Sequence, residues 1–209
     1  MSFEWNDLFT TNWELFGVIT GFLSVALLIP VQYPRVQYLN WVASLLSAAV
    51  YVYIFYDYTL YGNAALQIYF IVYSLIGLWT WRGQILGREV TDEIPITFAP
   101  TRPLVLSIGA AIAAMVVVYP LLRHFGDASP FWDGLMICLS GAAIWLQVKK
   151  YVENWAVWIV VDLIAVPLHA SNDLEATALL YGLYLCMCLI GIREWNLAAN
   201  KNALEHAKI

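Results

Sequence analysis

The chain alternates long apolar runs with short polar breaks. Seven runs stand out, at 15–31, 38–56, 64–81, 103–122, 131–148, 155–170 and 176–192. A helix that crosses a bilayer needs about 20 mostly apolar residues, within a range of roughly 17–25. The pattern therefore predicts an all-α integral membrane protein with seven transmembrane helices. The sixth run is short and carries Pro167 near its end. Every Lys and Arg falls at the end of a run, in a loop or in the tail.

Composition points to the same solvent. The 209 residues are 62% hydrophobic, with a mean hydropathy of +0.70 and only 12% charged side chains. A soluble fold of this length needs a charged surface that this chain cannot supply. The net charge of −5 says little about partners, because most acids lie in loops and tails. No basic patch or arm is present, which argues against a nucleic-acid partner. Cys138, Cys186 and Cys188 all lie inside apolar runs, so they read as small packing residues rather than a disulfide framework.

The basic residues divide unequally between the two sides of the predicted membrane. The N-terminal tail and the second, fourth and sixth loops carry Arg123 alone, whereas the other side carries nine of the ten cations. The positive-inside rule then puts the N-terminus outside and the C-terminus in the cytoplasm. Seven spans are consistent with that assignment. Trp5, Trp13, Trp41, Trp81, Trp132, Trp155 and Trp195 lie near run ends, where an interfacial aromatic belt is expected. The N-terminal stretch has Glu4, Asp7 and Glu14 but no cation, so a cleaved signal peptide is not expected.

Sliding the chain by 114 positions brings its halves into register. Asn40 and Trp41 fall on Asn154 and Trp155, Ile76 and Gly77 on Ile190 and Gly191, and Trp81 on Trp195. The expectation is a 3+1+3 plan within a single transporter domain, 1–209. One three-helix repeat spans 15–81, a linker with the fourth span covers 82–130, and a second repeat spans 131–195. The fourth span restores the direction, so the repeats run parallel. That is a recurrent transporter plan, with substrate near the midplane.

Polar groups inside hydrocarbon cost free energy and usually face an interior or a cavity. Asp162 is the sharpest case, about eight residues from either end of its run, or roughly 12 Å deep. No Lys or Arg lies at that depth. Trp155, Trp158 and Asp162 follow i, i+3, i+7. Asn63, Gln67, Phe70 and Ser74 form a stripe on the third span, and Thr177, Tyr181 and Tyr184 one on the seventh. Aromatic faces bind flat rings and cations. Amides and hydroxyls bind sugar-like hydroxyls. A phosphate normally recruits Arg or Lys, and none lies at depth. The predicted cargo is an unphosphorylated, flat, neutral or cationic small molecule.

Two stretches carry a family resemblance. Residues 129–166 read SPFWDGLMICLSGAAIWLQVKKYVENWAVWIVVDLIAV, and 60–81 read LYGNAALQIYFIVYSLIGLWTW. Their PFWD, KYVENW and LQ-x-x-F…G…W elements resemble the PnuC family of vitamin transporters, over nearly the whole chain. The resemblance implies the SWEET-like 3+1+3 fold, a homotrimer, and facilitated diffusion in the bacterial cytoplasmic (inner) membrane. Cargo would be trapped by a cytoplasmic kinase. It also implies a substrate site at Asn63, Gln67, Phe70, Trp155, Trp158 and Asp162; Tyr181 and Tyr184 join them by helical phase. Some relatives carry Asn where this chain has Asp162, and cargo varies among nicotinamide riboside, thiamine, riboflavin and deoxynucleosides.

Nicotinamide riboside uniport is the leading expectation, with thiamine as the nearest alternative because both cargoes are cationic rings. Proton-coupled symport through Asp162 is a reading of another kind. An enzyme is not expected, since catalysis needs converging acids, His or Cys, and His124, His169 and His206 are scattered. Neither metal nor cofactor is expected.

Overall fold

The computed structural model describes residues 5–31, 33–57, 61–82, 94–127, 129–171 and 175–206. Among them run seven α-helices: α1 (Trp5–Leu28), α2 (Pro34–Asp57), α3 (Tyr61–Trp81), α4 (Thr101–His124), α5 (Pro130–Val148), α6 (Asn154–Ser171) and α7 (Glu175–His206). Each predicted run has its helix. The two ends of the chain differ most. α1 starts ahead of its apolar run and stops at Leu28, because Pro30 disfavours helical geometry at Ile29. α7 continues well past its run to 32 residues. At 1.5 Å per residue it is about 48 Å long, longer than the ~30 Å hydrocarbon core. The polar segment after Trp195 holds no Pro or Gly to stop it.

Among the described residues, Thr101–His124, Pro130–Val148 and Ala178–Glu205 are each long and apolar enough to cross a membrane. α4 shows what its solvent must be. Val116 is 77% exposed and Val117 69%, surface that water would penalise by about 25 cal/mol per Å² and that lipid accepts.

The chain forms two compact units, Met1–Glu93 and Ile94–Ile209, divided inside the 82–130 segment. In the first, α1 packs on α2 and α2 on α3. Gln37, fully buried, donates to the Leu28 carbonyl at 2.8 Å and so satisfies an open group at the end of α1. Ser47 donates to the Gly17 carbonyl of α1 at 2.9 Å, and Ser74 of α3 donates to Ser44 of α2 at 3.1 Å.

In the second unit α4 packs on α5, α5 on α6 and α6 on α7. α5 closes with a Schellman turn: Tyr151 N–H donates to the Leu146 carbonyl and Lys150 N–H to that of Gln147. Lys150 takes the left-handed φ of 55° that this turn requires. The segment before α4 is fastened here. Thr97 pairs with Tyr151 in a parallel bridge, Ala99 N–H donates to the Glu153 carboxylate at 2.8 Å, and Asn202 on the α7 extension donates to the Ile96 carbonyl at 2.9 Å.

Each unit also contains one tryptophan pair set against a glycine. Trp41 and Trp81 meet edge-to-face at 5.3 Å and 88°. Trp155 and Trp195 meet at 5.6 Å and 88°. All four rings are almost fully buried. They therefore sit inside the packing rather than in an interfacial belt; Trp132 of the same set is half exposed. The reason is the glycine opposite. A Cβ at Gly77 would land on the Trp41 ring, and one at Gly191 would lie 2.6 Å from Trp155.

Gly77→Ala and Gly191→Ala should each destabilise the detergent-solubilised protein by about 1–3 kcal/mol through overpacking. Gly109, where an added methyl would meet nothing within 4 Å, is the control: Gly109→Ala should hold or raise the melting temperature, since alanine favours the helix. Equal melting temperatures for all three variants would mean that the glycine notches do not hold the helix pairs together.

Candidate functional site

The sequence-derived site residues fall in both units, and each unit is described by itself. In the first, α3 carries Asn63, Gln67 and Phe70. The Asn63 side chain lies outside the described residues. Gln67 and Phe70 are half-buried. Tyr69, between them in sequence, makes tilted ring contacts with Phe70 and Tyr73, centroids 5.8 and 4.5 Å apart. Ser74, the last member of that stripe, is buried and spent on its bond to Ser44.

In the second unit the α6 stripe divides. Trp155 is only 1% exposed. Its ring fills the Gly191 notch, and among the described residues its Nε1 finds no acceptor. Trp155 is therefore a packing residue within its own unit. Trp158, one turn further along, is half-buried and turns toward α5, where its Nε1 donates to Gln147 Oε1 at 3.3 Å. Asp162, only 3% exposed, turns toward α7 and accepts from Cys188 Sγ at 3.5 Å.

Tyr181 and Tyr184 lie on α7 in an edge-to-face pair, centroids 5.9 Å apart. With Cys188 they follow i, i+3, i+7 and share a helical face. The Thr177 side chain lies outside the described residues. Both Tyr181 and Trp158 pack against the core formed by Cys138, Leu139, Ala142, Val161 and Ala165. α6 and α7 thus carry half-buried rings and, elsewhere on the same two helices, a buried carboxyl group whose partner is a thiol.

Sequence reasoning missed two of these contacts. Nothing in the sequence pattern singles out Gln147, and Cys188 reads there as a small packing residue. The available signal was chemical: a buried indole N–H needs an acceptor and a buried carboxylate needs a donor. Amide and thiol side chains within reach of α6 were the candidates to supply them.

Chemically, α6 and α7 offer a buried carboxyl group and half-buried aromatic rings. An ionised carboxylate and aromatic faces are both groups that attract a flat cation.

Known proteins match this chain along most of its length. The family described as nicotinamide mononucleotide transporter matches residues 11–197. The nicotinamide riboside transporter PnuC of Escherichia coli (strain K12) is 28% identical, with 92% of this chain and 90% of that protein covered. The riboflavin/roseoflavin transporter RibM of Streptomyces davaonensis is 27% identical, covering 91% of this chain and 87% of that protein. The crystal structure of the vitamin B3 transporter PnuC superposes with a TM-score of 0.69 at 27% identity, covering 90% of this chain and 82% of that one. With its helices, its apolar surface and these relatives, the chain is a multi-pass membrane protein that belongs to the PnuC family of transporters, described as nicotinamide mononucleotide transporters.

Proposed function

We propose that this chain is a uniporter for nicotinamide riboside in a bacterial cytoplasmic membrane, its cargo trapped inside by phosphorylation. The observation that carries this reading is Asp162, a carboxylate 3% exposed on an apolar helix with a thiol as its partner. Holding a charge there is costly unless a ligand offsets it. A pyridinium ring does so, while Trp158, Tyr181 and Tyr184 supply aromatic surface. In the first unit, Asn63, Gln67 and Phe70 are proposed as cargo contacts on the family resemblance alone.

A phosphate fits less well. A phosphate normally recruits Arg or Lys, and every Lys and Arg of the sequence falls at the end of an apolar run, in a loop or in the tail. This favours the riboside over the mononucleotide in the family's description. The split of basic residues supports an N-terminus outside and a C-terminus in the cytoplasm. The recurrence of the same tryptophan–glycine geometry 114 residues apart supports the 3+1+3 plan with parallel repeats. A homotrimer and coupling to a cytoplasmic kinase complete the proposal on the family resemblance.

Thiamine is the second reading, since its thiazolium would suit the same carboxylate. The relative named for riboflavin and roseoflavin shows that cargo differs among similar chains. Riboflavin is neutral and would leave Asp162 unmatched.

Calorimetric titration of the purified protein should give saturable binding of nicotinamide riboside that thiamine does not displace. Binding of thiamine alone would move the chain to thiamine uptake. Asp162→Ala should weaken riboside binding by about tenfold or more, equivalent to ~1.4 kcal/mol, and Asp162→Asn by less, since the amide keeps an acceptor. Wild-type affinity in both variants would make Asp162 a structural residue. In vesicles without kinase, uptake should equilibrate whether or not a protonophore is present; abolition by the protonophore would replace uniport with proton symport.

A further inference from the structure

The Asp162 carboxylate has a partner that the transport reading does not by itself require. Cys188 lies on the next helix, is 3% exposed, and points its sulfur at Asp162 Oδ2 at 3.5 Å. A carboxylate torsion is broad and roughly two-fold, so an unsupported Asp on an apolar helix has no fixed direction for its charge. A thiol is a weak donor and costs little to bury. It can orient one oxygen while leaving most of the carboxylate's accepting capacity free.

The first unit has a related donor but a different acceptor position, since Ser44 registers with Trp158 and Asp162 with Ala48. The residue 114 positions before Cys188 is Ser74. It too is buried, and it too donates across to the preceding helix of its unit, onto Ser44 at 3.1 Å. Both units thus place a small O–H or S–H donor at this point of the last helix pair. Only in the second does the donor meet an ionisable group.

We propose that Cys188 is a positioning residue for cargo recognition: its thiol orients the Asp162 carboxylate so that the free oxygen meets a cationic ring. This rests on the reading of Asp162 as the cation partner. Replacing the thiol with a non-donor should therefore lower affinity for charged cargo and spare uncharged cargo of the same shape. A merely structural role would affect both alike.

The test uses calorimetry on the purified full chain with two probes, nicotinamide riboside and its uncharged dihydropyridine form. Wild type should prefer the cation. Cys188→Ala should weaken riboside binding by about fivefold or more, leave the reduced form within about twofold, and so collapse the preference. Cys188→Val fills the volume without a donor and should behave as Ala does, which guards against a cavity effect. Cys188→Ser keeps a donor and should retain the wild-type preference. Unchanged preference in Ala and Val, or equal losses for both probes, would overturn the role of Cys188 while leaving the transport reading intact. A wild type that binds neither probe, or both equally, would overturn the reading of Asp162 and this inference with it.

Discussion

The structure depends on a ring lying against a bare backbone. Inside a bilayer there is no hydrophobic drive between helices, because lipid tails are as apolar as leucine; association rests on close packing and on interhelical hydrogen bonds. Gly77 and Gly191 let α3 and α7 approach Trp41 and Trp155 without a side chain in the way. Trp81 and Trp195 then close on those rings edge-to-face. That approach fixes both separation and register. The Ser74–Ser44 and Cys188–Asp162 contacts reach only 3.1 and 3.5 Å, so a helix pair wedged apart by one methyl would lose them.

The register set in this way orients the polar groups of α6. Trp155 and Asp162 are seven residues apart and face α7 together, one as packing and one as a buried acid. Trp158 is turned away from them toward α5. Its Gln147 acceptor sits in the last turn before the Schellman closure, and the bridge from Thr97 to Tyr151 holds that closure in turn. The packing of α6 on α7 therefore aims the carboxylate, and the turn between α5 and α6 aims the indole. Preorganisation of this kind lets a ligand bind without first ordering the groups that receive it.

The helices were legible because their apolar runs had to be long. The ends of α1 and α7 were not, since polar residues can continue a helix once it has left the lipid. The tryptophans misled more instructively. Position near a run end suits both an interfacial ring and a buried one, and the glycine that decides between them lies some 36 residues away in sequence. The same 114-residue offset that pairs Trp41 with Trp155 also pairs Gly77 with Gly191, so the signal was present; what periodicity lacked was the contact between them. Asp162 was legible from depth alone. Cys188 was not, because a cysteine in an apolar run packs like any small hydrophobe until a carboxylate is placed beside it.

The two units share a packing device and differ in the polar group set beside it. Both carry the ring pair, the glycine notch and a small buried donor on the last helix. In the first unit the donor meets a serine, which is neutral and adds only a hydrogen bond. In the second it meets Asp162. Two unit charges about 4 Å apart interact by roughly 4 kcal/mol at an effective dielectric of 20. On the proposed reading of Asp162, an ionised acid here would reward a cationic ring and, with the same field, oppose a phosphate carried close to it. Such a site would need no separate filter against phosphorylated cargo, because one negative charge among apolar residues would do that work.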